Sequence, residues 1–245
     1  MRILPLLACL LLGAPAASRA PRRAAPAAPP ETRALPAFTA IDVTDGIQLV
    51  VQPGPSPAAV VEASTAQFRR LTKTVVEGGV LKVFFDYQHE PNWQGLVRSR
   101  EVFKVVVTTS ELRALQAADG AAVTLAKDLN FKPTNALAVR LRAGARLAGA
   151  VRVQQLDVQL RGGSSARLTG TAATLALRVT EGSDFRSPRL QAEQCTAFAS
   201  SAGTARFAVR KTLAASAVNE ATITYSGPAR LTQERHEQGG QILRF

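Results

Sequence analysis

The carboxylates that could support catalysis are few and scattered along this chain. Between positions 119 and 220 there are seven: Asp119, Asp128, Asp157, Glu181, Asp184, Glu193 and Glu220. Cleavage of a polysaccharide needs two carboxyl groups at a defined separation, and no two of these align as such a pair. Glu181 and Asp184 are the nearest to one another, and their spacing is typical of a solvated turn. The sequence therefore predicts no catalytic residue.

Patterns for a nucleophile or a metal site are missing as well. Gly162-Gly163-Ser164-Ser165 lacks the Gly-x-Ser-x-Gly frame of a nucleophile turn. His89 and His236 are the only histidines, and a shared zinc site would need further ligands that the sequence does not supply. Cys195 stands at an apolar position of a repeat, which predicts a small buried core residue. We predict no metal and no cofactor.

Arginine offers a different chemistry, the binding of anions. Arg146, Arg167 and Arg206 each precede an apolar residue that is predicted to point inward, so their side chains should point outward. Stacked repeats would bring Arg146 close to Arg167, with Asp184 next in line and Arg206 beyond it. Such a ridge suits regularly spaced negative groups on an acidic polymer. The alternative is a solvated edge in which Asp184 forms one salt bridge and offsets part of the repulsion between the arginines.

The polar segment Asp86–Arg100 is the second candidate site. It holds the only Trp of the chain, Trp93, together with Tyr87, Arg98 and Arg100. An exposed aromatic ring among polar side chains suits sugar stacking or contact with a protein. The alternative is a long hairpin loop whose Trp93 folds back over the edge of a sheet.

The net charge restricts the partners. The chain has 30 Lys and Arg against 18 Asp and Glu, which gives +12 spread over its whole length. Such a surface attracts acidic glycans, lipopolysaccharide or an acidic envelope protein, and no motif indicates specific recognition of nucleic acid. The alternative is a charge that serves only solubility. The sequence assigns no oligomeric state.

A repeat between Leu112 and Leu231 predicts the elements that would position these side chains. The first apolar residues of four copies are spaced 19, 19 and 20 residues apart: Leu137, Leu156, Leu175 and Cys195. Within a copy apolar residues alternate, as in Leu156, Val158 and Leu160, which places three side chains on one face of a strand. A fixed period near twenty without a helical pattern predicts a parallel β-helix, or β-solenoid, with coils of about 19–21 residues.

Each copy also contains a turn and a further inward residue. The turns are expected to stack at one corner with positive φ, at Gly120, Gly144, Gly163 and Gly182, with Asn219 in the last copy. The inward residues that follow the turns are predicted to be Val123, Leu147, Leu168, Phe185, Phe207 and Ile223.

Residues 37–110 show strand alternation without the repeat. The run VEGGVLKVFF predicts a hairpin with a glycine turn, and only residues 64–72 could form a helical turn or two. We therefore predict an all-β protein with a β-strand half at 37–110 and a β-solenoid half at 111–245, which together form one continuous unit.

The N-terminus has the pattern of an export signal. Residues 1–20 combine a positive start, a short apolar run and small residues, and no later stretch reaches the length of a membrane span. Cys9 lies too close to the start to favour a lipoprotein signal. The Pro/Ala-rich residues 21–36 are predicted to form a flexible tether. The predicted location is the periplasm or the cell surface.

In order along the chain, FTAIDVTDGIQLVVQPG, VVEGGVLKVFF, VFKVVVTTSELRALQAADGAAV, the repeats and ITYSGPARL resemble the putative auto-transporter adhesin, head GIN domain family, a bacterial family of unknown function. The resemblance implies an exported β-solenoid-like fold with a surface or envelope role and no catalytic residue. It also implies an acidic residue just before the inward apolar one. In this chain the residues at the corresponding positions are Ala122, Arg146, Arg167, Asp184, Arg206 and Thr222.

The function expected from the sequence is an exported, non-enzymatic β-solenoid that binds or adheres at the cell envelope, with anionic polymers as ligands. Two alternatives remain open. One is a polysaccharide-active β-helix enzyme, since that fold hosts such enzymes. The other is a purely structural periplasmic protein.

Overall fold

The structure, a computed structural model, describes residues 29–89, 103–126 and 136–245. These residues are 66% strand and 4% helix, which confirms the predicted all-β class. The elements up to residue 126 are β1 (Glu31–Ala34), β2 (Ala40–Val43), β3 (Gln48–Pro53), β4 (Ala58–Glu62), α1 (Ala66–Leu71), β5 (Thr72–Glu77), β6 (Val80–Phe85), a 3-10 helix (Tyr87–His89), β7 (Lys104–Thr109), β8 (Ala114–Ala117) and β9 (Ala122–Leu125).

The strands that follow are β10 (Ala136–Leu141), β11 (Arg146–Leu160), β12 (Ser165–Val179), β13 (Asp184–Ala199), β14 (Thr204–Val218), β15 (Thr222–Ser226), β16 (Arg230–Glu237) and β17 (Gln241–Arg244). Among them, β11 to β14 are 15 or 16 residues long, because each of them contributes to two faces of the molecule and runs around the corner between them. The seventeen described strands belong to one hydrogen-bonded sheet, wound into about six turns. The predicted β-solenoid is therefore confirmed.

Each coil contributes to two faces of the solenoid. On face A the strand order is β6, β2, β8, β10, the second halves of β11 to β14, and β16. On face B the order is β7, β3, β9, the first halves of β11 to β14, β15 and β17. The core is enclosed between the inward residues of the two faces.

The predicted triplets stack in register on face A. Leu137 pairs with Leu156, Val139 with Val158 and Leu141 with Leu160, and the next coils continue with Leu175 and Cys195. These side chains are almost completely buried. Burial of one such aliphatic side chain contributes roughly 1.5–3 kcal/mol, so the inward columns account for most of the stabilisation of each coil.

The N-terminal half is part of the solenoid and is not a separate arrangement of strands. Ile41 of β2 lies between Leu81 of β6 and Leu115 of β8, and Leu49 of β3 lies between Val105 and Val123. The coil that comes first in the sequence is therefore second in space. The end coil contains β6 and β7, which come later in the sequence. Strands β8 and β9 then pair with the opposite edges of β2 and β3.

Antiparallel strands close this end of the solenoid. The predicted hairpin is present, with β5 antiparallel to β6, while β4 lies antiparallel to β7 and β1 antiparallel to β4. The predicted helical turn is α1, which packs Phe68 against Phe85 and Phe103. Because Glu31–Ala34 forms β1, this part of the predicted tether is ordered structure.

The predicted stack of turns at one corner is present. Each turn has two consecutive residues with positive φ, as in Asp119-Gly120, Glu181-Gly182 and Ser201-Ala202. The N–H of the second residue donates to the carbonyl of the first residue in the next coil, from Gly120 to Ala143 and from Gly182 to Ser201, at 2.9 Å each. In the last copy Glu220, and not Asn219, occupies the glycine position.

Candidate functional site

The register of face B changes the predicted arginine ridge. Arg146 lies beside Ser165, and Ser165 lies beside Asp184. Arg167 lies beside Ala148, one outward position further along the strand. The predicted stack of Arg146 on Arg167 is therefore wrong.

The reason for this error is the size of the inward residues. In β12 and β14 the first inward position holds alanine, Ala166 and Ala205, and the larger Leu168 and Phe207 occupy the second inward position. Leu168 and Phe207 thus lie one step beyond Leu147 and Phe185. The arginines that precede them are displaced by the same step.

Three arginines nevertheless lie outward on consecutive coils of face B, although the in-register pairing of β12 with β13 ends at Ala166 and Phe185, just before Arg167 and Arg186. Arg167, Arg186 and Arg206, which we call the arginine column, each lie two residues after Ser165, Asp184 and Thr204, and Arg186 pairs in register with Arg206. All three are exposed. The column includes Arg186, which the sequence analysis did not select, and it excludes Arg146.

Part of the arginine column is engaged within the protein. The Arg186 Nε atom lies 3.7 Å from Oδ2 of Asp184, and Oδ1 of the same carboxylate accepts a hydrogen bond of 2.7 Å from the Thr204 hydroxyl. The Arg206 guanidinium stacks over the Phe245 ring at 4.1 Å from its centroid. The neighbouring carboxylate of Asp184 reduces the capacity of Arg186 to bind an external anion.

Only Tyr87 of the predicted ligand-contact loop lies among the described residues; Trp93, Arg98 and Arg100 lie outside them. The Tyr87 ring packs against Phe85, with ring centroids 4.9 Å apart, as part of the aromatic cluster around α1. Burial, together with the neighbouring carboxylate of Asp45, which accepts a hydrogen bond from the hydroxyl, raises the pKa of Tyr87 to about 12. Tyr87 therefore contributes to packing at the end of the solenoid.

A basic groove on face A is a concave site formed by described residues. It encloses about 440 Å³ and is lined mainly by polar side chains and the start of the turns. Four of the lining residues are arginines, which define what we call the arginine groove: Arg140, Arg142, Arg161 and Arg178. The groove crosses the coils that contain β10, β11 and β12.

The register of face A positions these four side chains. The outward column reads Gln116, Arg140, Gln159 and Arg178, because each of these residues lies between two inward residues of a triplet. Arg142 and Arg161 follow Leu141 and Leu160, and their backbone N–H groups donate to Ala117 and Leu141 at 3.0 and 3.1 Å. The ladder of the solenoid therefore holds the four arginines at fixed backbone spacing.

Nine basic side chains of the described residues form ion pairs, and the groove arginines are not among them. Within the described residues, ion pairs join Lys82 to Glu77, Lys211 to Glu193 and Arg235 to Glu237, at 2.6, 2.7 and 2.9 Å. No carboxylate of the described ranges lies within ion-pair distance of Arg140, Arg142, Arg161 or Arg178.

The groove has a net positive charge and one arginine that is held in place. Its two acidic lining residues, Asp42 and Glu181, lie at opposite ends. The Arg178 guanidinium stacks over the Phe198 ring at 4.5 Å from the centroid. Such a contact orients the guanidinium and leaves its N–H edges available. The arrangement is suited to binding negative groups.

The described residues contain no group of three or more histidine, cysteine or carboxylate side chains that could hold a metal. Cys195 is buried, as predicted, and burial raises the pKa of its thiol well above the usual range. Of the helices that the structure describes, none has the length and hydropathy of a membrane span.

Comparison with known proteins bears on the family and the fold. The family model described as putative auto-transporter adhesin, head GIN domain, matches residues 37–229, which confirms the resemblance seen in the sequence. No curated protein matches the chain.

Several solved structures share the fold. A putative adhesin from Bacteroides fragilis is 16% identical, with a TM-score of 0.72 over 88% of this chain and 95% of that one. A putative lipid binding protein from Parabacteroides distasonis is 17% identical, with a TM-score of 0.62 over 88% and 96%. A putative adhesin from Parabacteroides merdae is 14% identical, with a TM-score of 0.58 over 89% and 95%.

Proposed function

Since the chain belongs to the putative auto-transporter adhesin, head GIN domain family, we propose that it is an exported, non-enzymatic module that binds anionic polymers at the cell envelope through the arginine groove. The arginine column is proposed as a weaker, second contact. The periplasm or the outer surface is the proposed location, supported by the export pattern of residues 1–20 and by the adhesin description of the family.

The observation that supports the proposal is the set of four groove arginines without an internal carboxylate partner. Arg142 and Arg161 lie one strand spacing apart, where like charges repel, so negative groups bound beside them would offset this repulsion. Arginine binds carboxylate, sulfate and phosphate groups through two parallel hydrogen bonds, which gives strength and direction. An anionic polymer would relieve the repulsion and engage several arginines together.

The names of the structural neighbours agree with a binding role. Two are described as adhesins and one as a lipid binding protein. The basic surface of this chain favours the negatively charged part of envelope material.

The acids of the groove do not favour the alternative of polysaccharide cleavage. Asp42 lies on β2 and Glu181 follows β12, so β8, β10 and β11 separate them. Four strand spacings correspond to roughly 19 Å, whereas paired catalytic carboxyl groups lie about 5–9.5 Å apart. Release of shortened chains from a bound polysaccharide would contradict the non-enzymatic assignment.

Replacement of two groove arginines tests the proposed function. We expect Arg142→Gln/Arg178→Gln to weaken heparin binding at least about tenfold, since two charge-assisted contacts are lost. Arg167→Gln/Arg186→Gln in the column should cost about threefold. Binding is measured by fluorescence anisotropy at several salt concentrations, and it should weaken as salt increases.

The matched control removes the same number of charges elsewhere. Arg189 and Arg230 are exposed and have no ion pair within the described residues, so Arg189→Gln/Arg230→Gln should change heparin affinity less than about twofold. Thermal unfolding verifies that each variant is folded. Equal losses in the groove and control variants, or heparin binding that does not depend on salt, would reject the groove as the binding site.

A further inference from the structure

We infer that the arginine groove holds a linear acidic glycan that lies along the solenoid axis and presents its negative groups at the spacing of the coils. This inference rests on the proposed function. It adds the class of polymer, the direction of the chain in the groove and the charge spacing that the groove recognises.

The four arginines form two pairs with different spacing. Arg140 and Arg178 share one outward column, with Gln159 between them, so two strand spacings of about 4.8 Å place their backbones about 9.6 Å apart. Arg142 and Arg161 begin the turns of adjacent coils and lie one spacing apart, about 4.8 Å. The groove therefore offers a one-coil pair and a two-coil pair of positive charges.

In both pairs the two arginines are displaced from one another along the axis of the solenoid. A ligand that contacts all four must cross β10, β11 and β12 and cannot follow a single strand. The acids restrict its charged part to this stretch, since Asp42 lies beyond one end of the arginines and Glu181 lies at the other. An extended chain fits these conditions better than a compact anion, which could contact only one pair.

The neutral lining residues favour a sugar chain. Gln116, Gln159 and Thr180 lie among the arginines and provide donors and acceptors that can pair with hydroxyl groups. The described lining includes no aromatic side chain on which a base could stack, a contact that contributes much of the binding of single-stranded nucleic acid. The groove thus matches the alternation of charged and hydroxyl groups along an acidic glycan.

The two spacings make different demands on the glycan. A chain with one carboxylate on every sugar has negative groups close enough to engage the one-coil pair as well as the two-coil pair. A chain with a carboxylate on alternate sugars has widely separated negative groups, which suit Arg140 and Arg178 but do not engage the one-coil pair. The first kind of chain should therefore bind more tightly.

Size-defined oligosaccharides test the inference on the full chain by calorimetry. We expect the affinity for galacturonate oligomers to rise at least about tenfold from the monosaccharide to the tetramer. Galacturonate oligomers should bind more tightly than hyaluronan oligomers with the same number of sugars, and neutral maltooligosaccharides should not bind. Arg142→Gln/Arg161→Gln should remove the advantage of galacturonate over hyaluronan while hyaluronan binding changes less than about twofold. Arg140→Gln/Arg178→Gln should weaken both.

Three results would overturn the inference. The first is equal affinity for free galacturonate, or inorganic phosphate, and the tetramer, which would indicate a compact anion site. The second is tighter binding of oligothymidylate than of a galacturonate oligomer with the same charge, which would indicate a nucleic acid backbone. The third is an equal effect of the two double variants on both glycans. If heparin binds through the groove and any of these is found, only this inference fails; if heparin does not bind, the proposed function fails too.

Discussion

At the scale of single residues, a titratable side chain at the closed end of the solenoid links stability to pH. The pKa of Tyr87 in the folded state is about 12, compared with 10.0 for an unperturbed tyrosine, because the side chain is partly buried and lies beside Asp45. A raised pKa means that the folded state retains a proton that the unfolded state loses. The contribution of Tyr87 is therefore complete below pH 10 and decreases as the pH rises toward 12.

Replacement of Tyr87 by phenylalanine should reveal this dependence. At pH 8, Tyr87→Phe should be less stable than the parent by about 1 kcal/mol, since the hydrogen bond to Asp45 is lost. Above pH 10 the difference should shrink, because only the parent has an unfolded state that releases this proton. Urea denaturation of both proteins from pH 8 to pH 11 measures the difference. A gap that widens with pH would contradict the assignment.

At the scale of the elements, the corners of the coils set which residues are tolerated. Gly170 has a φ of +109°, and a Cβ atom at this position would lie 2.0 Å from the Val151 carbonyl oxygen of the preceding coil. Gly163, in the stacked turns, also has a positive φ of +70°, but a Cβ atom there would meet nothing within 4 Å. A side chain at Gly163 would therefore introduce backbone strain alone, whereas a side chain at Gly170 would also collide with the neighbouring coil.

Alanine substitutions at these two glycines should differ in their cost. Gly163→Ala should lower the free energy of unfolding by about 1 kcal/mol, since only the positive φ opposes it. Gly170→Ala should cost at least about 3 kcal/mol, because the strands must also move apart. Chemical denaturation of the two variants and the parent measures both values. A smaller cost at Gly170 than at Gly163 would show that the corner adapts.

Elements built from large apolar residues could be predicted from the sequence, and those that depend on small residues could not. The triplets of face A stack as predicted because Leu156, Val158 and Leu160 leave no second alignment. On face B, Ala166 and Ala205 are inward but give no visible hydrophobic signal, so the predicted ridge was displaced by one step. The order of β6, β2 and β8 has no counterpart in any repeat and follows only from the three-dimensional pairing.

The arginine groove could have been found from the sequence, since its signal is present in the triplets. Arg140 lies between Val139 and Leu141, and Arg178 lies between Leu177 and Val179, so both had to point outward on the same face. The arginines predicted to form a ridge, Arg146, Arg167 and Arg206, lie instead near the turns of face B. The volume of the groove and the lack of internal partners depend on side-chain positions, which periodicity does not supply.

At the scale of the whole molecule, stability depends on continuous inward columns that no single coil can complete. Val158 is fully buried between Val139 of the coil on one side and Leu177 of the coil on the other. A defect at such a position affects both neighbouring coils. Local damage should therefore propagate along the axis.

An aspartate in the middle of a column tests this dependence. Val158→Asp should abolish cooperative folding, because it buries an unpaired charge at the cost of several kcal/mol. Gln155→Asp introduces the same side chain at an exposed, outward position of the same strand and should change stability by less than about 0.5 kcal/mol. Circular dichroism during thermal unfolding compares the two. A folded Val158→Asp protein would contradict the role of the column.

The position of the first coil has a consequence for the order in which the chain can fold. Strands β2 and β3 are the first strands of the two faces to be synthesised, yet their neighbours on both sides, including Leu81, Val105 and Leu115, appear later in the sequence. Until then both edges of the pair lack partners, and closing these pairings requires long loops. A nascent chain therefore cannot nucleate at its beginning and add coils one after another. The first partners to appear are β6 and β7, and both edges of β2 and β3 are paired only once β8 and β9 follow. The closed end of the solenoid is therefore completed from within the chain, and it cannot form before about the first half of the sequence is available.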